Sequence, residues 1–148
     1  MDPRWFPSLV VGTYDKTSPK DPDYNCIAWA AGESHRHWWP QQPLTAHWPS
    51  AARDAETIDA FVEAFVSLGY RTCASGDFEE GVEKIALFAL GSAPKHAAKQ
   101  VDADWWSSKM GHLGIDIRHK LLAVEGPSYG SVVRFLRRDK PTIAPSAP

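Results

Sequence analysis

The sequence predicts an α+β fold, with helices first and an antiparallel sheet after them. Three observations predict it. A short apolar run between an asparagine and a glycine, Asn25-Cys26-Ile27-Ala28-Trp29-Ala30-Ala31-Gly32, has helix punctuation at both ends. Ile58, Phe61, Val62 and Phe65 recur at the spacing of one face of an α-helix. From Tyr70 onward the apolar residues come in short segments bounded by glycines and turn residues, which is strand patterning. Helices followed by a run of strands give α+β rather than alternating α/β architecture.

The elements follow in order. Residues 1–23 carry many Pro, Asp and Ser around Leu9-Val10-Val11, and form a loop arm with one short strand at that apolar stretch. The cysteine helix spans 24–32, with Asn25 as N-cap and Gly32 as C-cap. Residues 33–53, rich in Trp, His and Pro, contain too many prolines for long regular structure, and long loops of this kind are functional or tightly packed. The amphipathic helix runs from Asp54, its N-cap, to Leu68, with Gly69 closing it. Strands are expected at 70–73, 82–90, 96–101 and 105–110, with Asp102-Ala103-Asp104 as a hairpin turn between the last two. Residues 111–119 are irregular, and 131–137 form a final strand. A single domain therefore spans 1–138, and 139–148 is a disordered Pro/Ala/Ser tail.

Composition narrows the function. The chain has 148 residues, enough for one domain with a core, and its 43% hydrophobic and 23% charged residues suit a soluble globular protein. A net charge of -2 gives no basic excess, so nucleic acid is not an expected partner. No apolar run is long enough to span a membrane, and Met1–Pro7 shows no secretory signal. With only 2 cysteines there is no disulfide framework, so a reducing, bacterial-type cytoplasm is expected.

Cys26 is the leading candidate for chemistry. In the first turn of a helix, unpaired backbone N–H groups and the positive dipole end favour thiolate over thiol. A cysteine nucleophile needs a base, and His96, opening a strand after Pro94-Lys95, is the best placed histidine, with His119 next. A base needs an orienting group. If the hairpin centres on Ala103, His96 falls opposite Met110, and Ser108 lies diagonally on its face. A shift of one residue would bring Ser107 and Lys109 there, and Asp116 is the nearby carboxylate. The Cys26 N–H and the Asn25 side chain would make an oxyanion hole. Trp38, Trp39 and Trp48 would wall a substrate groove. Cys26 as buried core, His96 as a surface histidine and Ser108 as an ordinary hairpin residue are the plain alternatives.

His35, His37 and His47 are spaced too loosely for a zinc site, and no metal or cofactor is expected. Arg134, Arg137, Arg138 and Lys140 form a basic cluster at a strand end.

The order of cysteine helix, histidine strand and polar strand resembles the papain-like cysteine hydrolases, the compact NlpC-type and CHAP-type members above all. The segments Tyr24-Asn25-Cys26-Ile27-Ala28-Trp29-Ala30, His96-Ala97-Ala98-Lys99-Gln100, Trp106-Ser107-Ser108-Lys109-Met110-Gly111 and Glu125-Gly126-x-x-Tyr129-Gly130 also resemble an uncharacterised family of small bacterial proteins. Where NlpC-type enzymes carry Ser-Gly after the cysteine, this chain carries Ile27-Ala28, which points away from peptidoglycan. The first resemblance implies a papain-like fold and a Cys-His hydrolase or transferase acting on an amide of a protein or peptide through an acyl-enzyme. A second function class is a non-catalytic immunity or accessory protein that binds a partner with its aromatic loop. A third is a metabolite enzyme built on Lys109, His112, Asp116 and His119.

Overall fold

A computed structural model describes residues 3–110 and 114–141. Seven strands form one antiparallel sheet: β1 Tyr14–Lys16, β2 Arg71–Cys73, β3 Val82–Leu90, β4 Ala93–Gln100, β5 Trp106–Met110, β6 Ile115–His119 and β7 Ser131–Asp139. Their order across the sheet is β1-β6-β5-β4-β3-β7-β2. Two short helices, α1 Cys26–Ala31 and α2 Ile58–Val66, precede all strands but the first.

The α+β expectation holds loosely, and the papain-like arrangement does not. The sheet dominates the molecule, and the helices are only 6 and 9 residues long. The reason is visible in β3, at the centre. Its Ile85 and Leu87 pack on one face with Ile27, Ala28, Phe61 and Phe65 of the helices. Its Ala86 and Phe88 pack on the other with Met110, Ile117, Ala123, Val124 and Tyr129. Successive strand residues point to opposite faces, so an apolar run of this kind demands cover on both. The helices cover one face. On the other, Phe6 and Leu9 of the N-terminal arm and a 3₁₀ turn at Leu121–Val124 take the place of helices.

α1 forms as its ends dictate. Asn25 Oδ1 accepts from the Ala28 N–H at 3.1 Å. Gly32 has φ 93°, and the N–H of Glu33 reaches Ala28 O at 2.9 Å. α2 starts later than expected. Thr57 caps it, accepting from the Ala60 N–H at 3.1 Å, while Asp54 accepts from the backbone of Gln41 instead. A threonine three residues before Ala60 and a carboxylate drawn off by a loop explain the shift. The first strand also moves, from Leu9–Val11 to Tyr14–Lys16. Leu9 is buried in the second core, Val10 and Val11 are exposed, and Tyr14–Lys16 pairs with β6. β4 opens at Ala93, before His96. Ile115–His119 is a regular strand, because its Asp15–Arg118 and Ser107–Arg118 registers leave it paired on both sides. β7 runs two residues past the expected end, to Asp139, and the expected disordered tail falls largely on residues 142–148, which lie outside the described residues.

Candidate functional site

Cys26 sits in the first turn of α1, in contact with the backbone of β4. Its Sγ–H donates to Lys95 O at 3.9 Å, and the Ala97 N–H points back at the sulfur. The residue is 7% exposed. Burial pushes its thiol up to about 11, outweighing the backbone N–H groups of Ala97, Ile27 and Cys26, which pull it down. Desolvation of a thiolate costs more here than one short helical turn returns. At neutral pH Cys26 is a thiol.

His96 points the other way. Ala97 packs with Cys26 in the first core, and adjacent strand residues alternate faces. The His96 ring lies in the second core, stacked on Tyr129 with centroids 4.0 Å apart and 5.4 Å from Phe88. The hairpin keeps the register centred on Ala103, with Lys99 opposite Ser107 and Gln100 opposite Trp106. Ser108 therefore meets His96 across the strands: Nε2 lies 2.8 Å from Ser108 Oγ. Sequence reasoning did not see the next link, Ser108 Oγ 2.7 Å from His119 Nε2.

The network sets the tautomers. His119 Nδ1 lies 2.7 Å from Lys120 O, and a carbonyl only accepts, so Nδ1 carries the proton. His119 Nε2 then accepts from the Ser108 hydroxyl, which in turn accepts from His96 Nε2–H. His96 Nδ1 remains a bare acceptor, buried and without a hydrogen-bond partner among the described residues. Burial, and then His119, hold His96 well below the usual histidine range, and burial lowers His119 to about 4. His96, Ser108 and His119 have no exposed surface. The three form a closed relay inside the second core.

The expected site residues thus separate. The structure joins His96 to Ser108 and places Cys26 on the opposite face, with no hydrogen bond between Cys26 and His96. Asn25 is occupied: besides capping α1, its Oδ1 accepts from the Trp38 N–H at 3.1 Å and its Nδ2 donates to Trp38 O at 2.8 Å. That side chain clamps the loop to the start of α1, with Oδ1 and one Nδ2–H engaged and the second Nδ2–H without a hydrogen bond among the described residues. Asp116 and Lys109 lie on the first face, where Tyr24 Oη donates to Asp116 Oδ2 at 2.7 Å and Lys109 Nζ sits 3.7 Å over the Tyr24 ring. His119 lies on the second face and His112 outside the described residues, so the metabolite-enzyme grouping does not come together. Arg137 and Arg138 pair with Glu79 and Glu83 at 3.0 and 2.6 Å. Among the described residues no group of three His, Cys, Asp or Glu side chains is placed to hold a metal.

The segment between the helices is tied together by indole and backbone hydrogen bonds. Trp38 is 3% exposed and belongs to the first core, its Nε1–H donating to Glu33, so it is no groove wall. Trp39 and Trp48 both rest on Phe61 of α2, at centroid distances of 5.1 and 5.0 Å. Their indole N–H groups donate to Glu56 Oε1 at 2.8 Å and to Arg53 O at 2.7 Å. The backbone closes on itself through His47 N–H to His37 O (2.7 Å) and Trp39 N–H to His47 O (3.0 Å). Gln41 is held at φ 64°, a conformation uncommon outside glycine, by its N–H bond to Asp54.

These bonds leave two adjoining concavities. One of about 400 Å³ is lined by Trp39, Gln41, Gln42, Trp48, Pro49 and Asp54 among others. The second, about 430 Å³, is lined by Asn25, His37, Trp39, Gln42, Thr45 and Ala46. Trp39, Gln42 and Ala46 belong to both. Burial, and then the charge of Arg36, lower the nearby His47, so its ring is neutral at physiological pH.

Residues 15–137 match the model of a family described as a domain of unknown function, DUF7689. No curated protein and no solved structure matches the chain. Nothing in these comparisons links it to papain-like, NlpC-type or CHAP-type enzymes. No helix among the described residues is long and apolar enough to cross a membrane.

Proposed function

We propose that this chain, which belongs to the DUF7689 family, is a non-catalytic binding module that takes an extended peptide segment of a protein partner in its aromatic loop. The observation that carries the proposal is the pair of adjoining concavities on a loop held by internal bonds from its indole N–H groups and from the backbone N–H groups of Trp38, Trp39, Gln41 and His47. Such a loop is ordered before it binds, so little conformational freedom is lost on association. Together the hollows fall in the size range of ligand sites. Indole faces and prolines suit an apolar side chain. The amides of Gln41 and Gln42 each offer donors and an acceptor, which matches the alternation of a peptide backbone.

The competing proposal, an amide hydrolase or transferase with Cys26 as nucleophile and His96 as base, draws less support. It would require the thiol to be uncovered, and the imidazole to reach it past the strand that carries it. Two free cysteines support a reducing, cytoplasmic setting for either function.

The test is selection of a phage-displayed linear peptide library on the intact protein, followed by calorimetry of the enriched peptides. The expected result is saturable binding that Gln42→Ala weakens at least several-fold, while the melting temperature stays the same. Failure to enrich any peptide, or binding indifferent to Gln42→Ala and Trp48→Leu alike, refutes it.

A further inference from the structure

We infer that a second groove, across the sheet from the aromatic loop, is a binding site for the arginine side chain of a partner. The groove, about 590 Å³, lies between the hairpin turn of β4–β5 and the loop before β3, and is lined by Asp77, Phe78, Asp104, Trp106, Leu121 and Phe135 among others. Aromatic side chains line it: the Trp106 and Phe135 rings stand 6.2 Å apart beneath it, Trp106 almost wholly buried, and Phe78 at its edge is 37% exposed and offers the open ring face.

Both walls are held firmly. At Gly76 a Cβ would come within 2.7 Å of the Phe135 ring and 3.1 Å of Trp106, so the backbone lies directly on the two rings. Gln100 Nε2 donates to Gly76 O at 2.6 Å, and the buried Lys84 donates to Ser75 O at 3.1 Å. On the other wall, Asp102 Oδ1 accepts from the N–H groups of Asp104 and Trp105, both at 2.9 Å, which fixes the turn.

The charges point to the occupant. Glu33, Glu63, Glu79, Glu83 and Asp15 each pair with an arginine or lysine. The carboxylates of Asp77 and Asp104 have neither an ion pair nor a hydrogen bond among the described residues, although Arg118 and Lys120 sit close by, each 4.4 Å over the Trp105 ring. Two unpaired carboxylates beside aromatic rings attract an organic cation. Two carboxylates beside an apolar lining supply too few oxygens for a calcium ion. A guanidinium suits the site better than an ammonium, because it lies flat on rings and presents its donors in a plane to carboxylates. The chain's net charge of -2 favours approach of a basic partner.

The test is a ¹⁵N NMR titration of the intact protein at low salt with the N-acetyl methylamides of arginine, lysine and norleucine. The expected result is saturable shifts at Asp77, Phe78, Ala103 and Asp104 with arginine, weaker ones with lysine and none with norleucine. The double variant Asp77→Asn/Asp104→Asn, in exposed positions that carry no fold contact through the carboxylate, should weaken arginine binding about tenfold. Phe78→Leu should narrow the preference of arginine over lysine. Equal response to lysine or norleucine, shifts spread over all acidic residues without saturation, or indifference to the double variant would each overturn the inference. Gln42→Ala should leave this titration unchanged, which separates it from the peptide site.

Discussion

Ser108 bonds two imidazoles inside a core where none of the three side chains has exposed area. Ser108→Ala would leave His96 Nε2–H and His119 Nε2 without partners, and each such loss costs about 1–3 kcal/mol. The expected fall of about 2–4 kcal/mol in urea unfolding is larger than a lone core serine would give. The same relay makes the fold acid-sensitive. Both histidines have folded values below their unfolded value of 6.5, so the unfolded chain binds more protons. Their contribution is whole above about pH 6.5 and is lost as pH falls from there toward about 4 for His119 and further for His96. Melting temperature should decline between pH 6.5 and 4.5, and His119→Gln should flatten that slope. The His96–Ser108 contact was legible, because the hairpin centre at Ala103 sets which residues share a face. The side of the sheet that Cys26 meets was not, since strand alternation separates His96 from Ala97 but does not say which of them faces a distant helix.

At the scale of elements, the β3–β7 junction turns on Gly130. It adopts φ 72°, and a Cβ there would come within 1.9 Å of Ala89 O. Backbone has to move to accept any side chain. Gly130→Ala should lower stability by about 2 kcal/mol or more in denaturant titration, whereas Gly91→Ala, with open space around it, should cost only its own positive-φ strain. Elements with two signals were legible: α1 by its caps, β3 by its apolar run between glycines. Elements with competing signals shifted. Asp54 looked like the cap of α2, but a loop amide claims it, and no local rule announces that contact. Val10 and Val11 have strand propensity and lie exposed, while Tyr14–Lys16 became the strand because β6 was there to pair with it.

For the whole molecule, Phe61 links the core to the surface. It has no exposed area, packs with Ile85 and Leu87, and carries Trp39 and Trp48 on its ring. Phe61→Ala should cost about 3–5 kcal/mol and also loosen the aromatic loop, seen as faster amide exchange at Trp39 and Trp48 than at β3. Phe65→Ala should cost as much without that local effect. The number of layers escaped the sequence because the second cover is made of Phe6, Leu9 and the Leu121–Val124 turn, which have no periodicity to detect.

The central claim, that Cys26 is a structural thiol and the protein a binder, is tested most directly by the pH dependence of Cys26 alkylation with iodoacetamide in a Cys73→Ser background. The account predicts a native-state rate slower than that of glutathione at pH 7, rising only well above the ordinary thiol value of 9.0 toward about 11, and not moved downward or upward by His96→Gln in protein that remains folded. A rate that titrates below 9.0 and shifts upward when His96 is replaced would contradict it, and would return Cys26 to the role of nucleophile.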